Sequence, residues 1–368
     1  MNPTQPQDDG IEEVDEGVAD EPLKGYPIDS LQIRHETRTI FEVIRRIEQG
    51  VYIMDPDFQR DFVWSAEKQS RLIESVLMRI PLPVFYLAEN SEGKLIVVDG
   101  LQRLTTLKRF RDDELPLALS NEDLNGKRFR DLPAKLQNRI EDAQIILYIL
   151  DYKVPERAKL DIFHRVNSGE PISRQQMRNC LYVGPATRWL REEVQTALFQ
   201  KATGTSLAGA PSRTMKDREV VNRFCSFTLL GYHRHKGDMD AFLAEGLERM
   251  NKLDEKELEE LRHRFHRSLE NNLQVFGKHA FRKHYPNQTG RSPFNVALFD
   301  VFSVLLADYA PEPIAANADA IRQGFFSLMK EQSFFQAISQ ATSTPANIRA
   351  RFEKATQMLA GALDADSN

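Results

Sequence analysis

Five consecutive positions, Asp99-Gly100-Leu101-Gln102-Arg103, gather a carboxylate, a glycine, an amide and a guanidinium. They stand where an apolar run, Leu95 to Val98, gives way to a helical pattern with leucines at 101, 104 and 107. A strand that turns on glycine into a helix leaves unpaired backbone N–H groups and the positive end of a helix dipole at the turn, which suits an anion and most often a phosphate. Gly100 to Gln102 would supply the amides and Arg103 a cation. Asp99 could hold Mg²⁺ or orient a water, as hard oxygen ligands do in nucleotide sites. No glycine loop ending in Lys-Ser/Thr is present, which excludes a P-loop NTPase.

Two further clusters could join this turn. Phe58-Gln59-Arg60-Asp61-Phe62-Val63-Trp64 sets an arginine and an amide among aromatics, and arginine offers a planar fork of donors to a phosphate or base. The competing reading puts the aromatics in a core and pairs Arg60 with Asp99 or Glu74. His164, Arg165 and Asn167 lie in FHRVNSGEPIS, where Asn-Ser-Gly is also an ordinary turn. The C-terminal half is locally basic at His263, Arg264, His266, Arg267, Lys278, His279, Arg282, Lys283 and Arg291. Basic helices contact nucleic-acid backbones, but solvated helix faces look the same.

The elements that must position these groups follow from periodicity. Leu31 to Thr37 alternates like a strand, and Thr39 opens a helix with Ile40, Val43, Ile44 and Ile47 on one face and Gly50 as its C-terminal cap. Ser65 is an N-cap for a helix over Ala66 to Arg79 that buries Leu72, Val76 and Ile80. Val84 to Ala88 and Lys94 to Val98 read as paired strands, and Ala143 to Val154 as another strand of the sheet. A short helix is expected near Asp131 to Glu141, another over Glu156 to Val166, and one after Ser173. Beyond that the pattern is helical almost to the end. The expectation is an α+β chain: an acidic tail at 1–24, a mixed domain at 25–170, a helical domain at 171–362, and a short tail at 363–368.

Composition sets the outer limits. The chain has 368 residues, 41% hydrophobic and 28% charged, with net charge −5. Eight acids and Lys24 fall in the first 24 residues; without them 48 basic and 46 acidic residues remain. The balance of the body therefore identifies no partner class. Two distant cysteines, Cys180 and Cys225, form no metal spacing and imply a reducing compartment. The longest apolar stretch, Phe294 to Ala310, is interrupted by Asp300, so a cytoplasmic protein is expected.

PDFQRDFVW, ESVLMRIPLPVFYL, VVDGLQRLTTL and IFHRVNSGEPISRQQMRN occur in the order and spacing of one family. From Ile33 to Leu181 the chain resembles the N-terminal domain of GmrSD-type, modification-dependent restriction enzymes, which is similar to the ParB and sulfiredoxin fold. The resemblance implies a nucleotide-binding, NTP-hydrolysing component of a bacterial restriction or phage-defence system, with NTP and Mg²⁺ as ligands. A separate nuclease or methyltransferase subunit and DNA are the implied partners. It assigns Asp99, Gly100, Gln102 and Arg103 to the family's Asp-Gly-Gln-Gln-Arg turn, and Gln59 and Arg60 to its Phe-Gln-Arg segment. Leu101 departs from that turn, so the resemblance implies binding more firmly than hydrolysis. Many members also carry a C-terminal His-Asn-His nuclease domain, whose motif is not readable here. Two other readings stay open at this point: a non-enzymatic DNA-binding sensor that recruits a nuclease, and a ParB-like domain that nicks DNA itself.

Overall fold

The computed structural model describes residues 33–54, 64–90, 92–154, 158–160, 162–163, 173–205, 209, 211 and 214–364. The chain is α+β and divides between Leu181 and Tyr182 into two compact units.

The first unit is built on a five-stranded mixed sheet of order β1-β5-β3-β4-β2. The strands are β1 (Ile33–Thr39), β2 (Tyr52–Ile53), β3 (Phe85–Glu89), β4 (Leu95–Asp99) and β5 (Gln144–Leu150). Alternation decides the faces. Ile145, Leu147 and Ile149 of β5, Phe85 and Leu87 of β3, and Leu95 and Val97 of β4 share one core. Four helices cover that side: α1 (Ile40–Glu48), α2 (Ala66–Leu77), α3 (Leu101–Arg111) and α4 (Ala134–Glu141). They contribute Ile40, Val43, Ile44, Ile73, Val76, Leu104, Leu107, Phe110 and Ile140. Each fully buried side chain of this size contributes about 1.5–3 kcal/mol.

The helix ends follow the expected chemistry. Thr39 caps α1 by accepting from Glu42 N, and Ser65 caps α2 by accepting from Lys68 N. Gly50, at φ +69°, follows α1 in the left-handed region. α2 ends at Leu77, earlier than its apolar pattern suggests. Arg79 turns left-handed at φ 60°, and Ile80 N bonds back to Ser75 O. That reversal carries Ile80 out of the expected core, leaving it 49% exposed.

The sheet has one irregularity beside the glycine turn. Leu87 pairs with Val97, but Tyr86 pairs with Asp99, so β4 spends one extra residue there. Strict alternation would set Asp99 on the side of Leu95 and Val97. The bulge resets the register and places Asp99 opposite Tyr86 instead. After β5, helix α5 (Arg174–Leu181) packs on β4.

The second unit is helical: α6 (Pro185–Val194), α7 (Ala197–Thr203), α8 (Lys216–Leu230), α9 (Met239–Met250), α10 (Glu255–Phe276), α11 (Val296–Leu306), α12 (Pro311–Ala316), α13 (Ala318–Lys330), α14 (Gln332–Ala337) and α15 (Pro345–Asp364). Among the described residues, no helix is long and apolar enough to cross a membrane. Asp300, the acid that interrupts the apolar run of α11, is fully buried. Arg223 of α8 donates to both of its oxygens at 2.8 and 2.7 Å, and Arg351 of α15 donates to Oδ2 at 2.7 Å. One carboxylate thus joins three helices. Burial still lowers Arg351 to about 10, against the opposing pull of Asp300.

His235 lies beside this network. Its Nδ1 accepts from Gly237 N at 3.3 Å, and its ring meets Phe242 edge-on. Burial, reinforced by Arg223 and Arg351, lowers its pKa to about 4.

Two outcomes follow. Asp300→Ala strands two buried guanidinium groups and should cost about 3–5 kcal/mol, read as a lower urea midpoint for the full chain by circular dichroism. For His235 the folded pKa lies below the unfolded one, so the unfolded chain takes the proton first. Stability should be complete above about pH 6.5 and fall as pH drops toward the folded value of about 4. His235→Gln should flatten that part of the pH–melting curve.

Candidate functional site

Gly100 is the hinge of the turn. It adopts φ 95°, in the left-handed region, and N-caps α3 without a side-chain hydrogen bond. A Cβ at this position would overlap the Phe85 ring, coming 2.8 Å from Cε1, and would lie 3.2 Å from Arg103 Nη2. Conformation and close approach therefore both require glycine. The first intrahelical bond closes from Leu104 N to Gly100 O at 2.9 Å. The amides of Leu101, Gln102 and Arg103 precede it, where no helix can satisfy them internally.

Arg103 sits inside the turn as its strut. Its guanidinium donates to Pro83 O, to Val84 O at 3.1 Å and to Asp99 Oδ2 at 2.9 Å. It also stacks on the Phe85 ring, 4.3 Å from the centroid. The residue is only 9% exposed, and burial lowers its pKa although Asp99 pulls the other way. Arg103 ties the entrance of β3 to the exit of β4 across about twenty residues of chain. Its charge is spent on this scaffold and on Asp99.

Asp99 is more open than its partner, with its side chain 30% exposed. Its Oδ1 and the side-chain amide of half-buried Gln102 have no hydrogen-bond partner among the described residues. Leu101 is buried at 7% and belongs to the core with Leu104 and Leu107. The position that departs from the family turn is thus a packing position in this chain. Among the described residues no group of three or more His, Cys, Asp or Glu could hold a metal ion. The turn offers one carboxylate, and that fits Mg²⁺ held jointly with phosphate oxygens better than a protein-only cage.

Gln59 and Arg60, and likewise His164, Arg165 and Asn167, lie outside the described residues. Trp64, at the end of the same segment as Gln59 and Arg60, is described. Gln69 of α2 donates to Trp64 O at 2.6 Å and accepts from Arg109 of α3 at 3.0 Å. This anchors the segment's exit to the helix that opens at the glycine turn.

Two groups of polar residues escaped the sequence reading. On α5, Gln175, Arg178 and Asn179 are all buried. Gln175 accepts from Arg178 Nε at 2.9 Å and donates to Asn179 at 2.8 Å. The polar run RQQMRN gave a weak signal, since three buried polar side chains on one helix look like a solvated face until β4 packs against them. The second group is aromatic. Tyr86 of β3 stacks on Tyr148 of β5, with centroids 5.5 Å apart, and His35 of β1 lies 6.3 Å beyond. Their signal was their alternation with the buried residues of each strand.

The basic stretch of the second unit resolves largely into internal contacts. Arg282 is fully buried and donates to the carbonyls of Ala202, Thr203 and Ala280. Arg264 pairs with Asp308, and Arg262 and His266 both contact the buried carboxylate of Glu193. The hydrogen bond that the His266 ring donates to Glu193 raises the pKa of His266.

Gly100→Ala should destabilise the chain by at least about 1–3 kcal/mol, since it forces a left-handed residue against Phe85. The check is a lower melting temperature. Phe85→Leu in the same background should restore part of the loss by relieving the overlap.

Residues 39–183 match the family model described as GmrSD restriction endonuclease, N-terminal domain. An uncharacterized protein of Methanocaldococcus jannaschii is 27% identical over 101 residues, covering 21% of this chain and 17% of that protein. The match thus spans less than a fifth of this relative. The matched residues take in the glycine turn, the bulged β4 and helix α5. Residues 39–183 are thus similar to the N-terminal domain of the GmrSD restriction endonucleases.

Proposed function

We propose that the first unit binds a nucleoside triphosphate at the N-terminus of α3 and hydrolyses it, as the nucleotide-dependent component of a DNA restriction or phage-defence system. The observation that carries this reading is the turn itself. α3 opens on a left-handed glycine without a side-chain cap, its first amides have no partner within the helix, and Asp99 Oδ1 and the Gln102 amide have no hydrogen-bond partner among the described residues. Thr39, Ser65, Thr196, Asp238, Asp254 and Asn295 each cap a helix with a side-chain oxygen, whereas α4, α6, α8, α12, α13 and α14 open without one, as α3 does. α3 differs from these in opening on a left-handed glycine flanked by Asp99 and Gln102. An anion at α3 would take the place of that oxygen.

The division of labour follows from the contacts. The backbone amides of residues 101–103 hold phosphate oxygens. Arg103 fixes Asp99 in place and keeps the positive field of its guanidinium near the turn. Asp99 Oδ1 would hold Mg²⁺ together with the phosphates, and Gln102 would orient a water. When bound, the metal supplies charge neutralisation on the phosphate chain. Gln59 and Arg60 are proposed to close the site, as their family positions imply. The family's restriction role and the resemblance of this turn to the Asp-Gly-Gln-Gln-Arg motif support the assignment to DNA defence.

Calorimetry with ATP, GTP, CTP and UTP in the presence of Mg²⁺ tests the reading. At least one nucleotide should bind, and Gln102→Ala should lower its turnover by about 100-fold or more while the melting temperature stays close to wild type. Absence of binding across the whole panel would overturn it.

A further inference from the structure

The sheet has a second face, and it leads directly to the turn. Ile96 and Val98 of β4 are buried yet stand outside the α1–α4 core, and α5 packs on that strand. Beyond β4 the cover continues over Ala88 and Leu150, which are buried outside the α1–α4 core, and among the described residues it thins toward the Tyr86 and Tyr148 end of β3 and β5. Tyr86 and Tyr148 are half-buried, His35 is exposed, and Ile33 and Ile146 are each 42% exposed. The register makes these residues neighbours on one face. Tyr86 pairs with Tyr148, and Tyr148 pairs with His35, across three adjacent strands. The rings meet at 5.5 and 6.3 Å.

At its other end the row meets Asp99. The bulge in β4 makes Asp99 the cross-strand partner of Tyr86. Paired residues of antiparallel strands have Cα atoms about 4.5–5.5 Å apart, well within the length of one nucleotide. Without the bulge Asp99 would alternate onto the core side and the row would end on an aliphatic side chain. The irregularity therefore joins the anion-binding turn to an aromatic surface.

We propose that Tyr86 and Tyr148, with His35 at the outer end, form the platform on which the base of the bound nucleotide stacks. The inference rests on the nucleotide reading above and adds the base-binding half of the site. Its occupant is the nucleobase of the same molecule whose phosphates sit at α3. Continuity with the turn favours that occupant over a separate ligand, because the row begins at the residue that also faces the phosphates. Aromatic faces stack on any base, so the platform supplies affinity without choosing among bases.

The test compares nucleoside triphosphates with inorganic tripolyphosphate, which keeps the phosphates and lacks the base. Wild type should bind the nucleotide more tightly than tripolyphosphate. Tyr86→Ala should weaken nucleotide binding by about ten-fold or more and leave tripolyphosphate unchanged, whereas Tyr86→Phe, which keeps the ring, should retain affinity. Should Tyr86→Ala unfold, Tyr148→Trp provides a second reading, since nucleotide but not tripolyphosphate should quench the added indole. Equal affinities for the two ligands, or an unaltered nucleotide affinity in Tyr86→Ala, would remove the platform and leave the phosphate site standing. Failure of both ligands to bind wild type would remove the nucleotide reading and the platform together.

Discussion

The first unit depends on where one guanidinium spends its hydrogen bonds. Arg103 reaches from the first turn of α3 to the carbonyls of Pro83 and Val84 and to Asp99, with its flat face on Phe85. Lysine could supply the charge, but a single ammonium lacks the planar fork that reaches two carbonyls and a carboxylate while stacking on a ring. These contacts draw β3 and β4 together where the hairpin would otherwise splay. They leave room for nothing larger than a hydrogen at Gly100. The close approach of Phe85 to Gly100 and the fixing of Asp99 Oδ2 accompany that one anchor.

A buried carboxylate plays a comparable part in the second unit, with different physics. Asp300 gathers Arg223 and Arg351 from helices that are distant in sequence. Such an arrangement adds little net stability over a well-packed apolar core, because desolvation offsets most of the attraction. What it imposes is selectivity of packing: α8, α11 and α15 must meet in one register, or two cations are left buried without an acceptor. The buried amides of α10 act in the same way, with Asn271 and Asn272 donating to carbonyls of Leu306 and Phe302 on α11.

Much of this was legible in the chain. Hydrophobic alternation located β3, β4 and β5, and the caps Thr39 and Ser65 marked two helix starts. Local rules read local hydrogen bonds well, since a cap and its partner lie three residues apart. They read Ile80 wrongly, because the pattern continued past the point where Arg79 reverses the chain. Asp300 looked like a flaw in an apolar stretch, and the basic C-terminal stretch looked like a surface. In both cases the partners lie tens of residues away, as with Arg223 and Asp300 or Arg262 and Glu193.

By itself the sequence determined the α+β class, the strand–glycine–helix turn and its likeness to one family's motif, because each depends on neighbours in the chain. Only the tertiary structure decided that Arg103 faces inward, that Leu101 is a packing residue, and that Gln175, Arg178 and Asn179 are buried. The bulge is the sharpest case. A single extra residue in β4 makes Asp99, in place of Val98, the cross-strand partner of Tyr86, and nothing in the local sequence of Leu95 to Asp99 announces it. Register belongs to pairs of strands, so no strand read alone can reveal it.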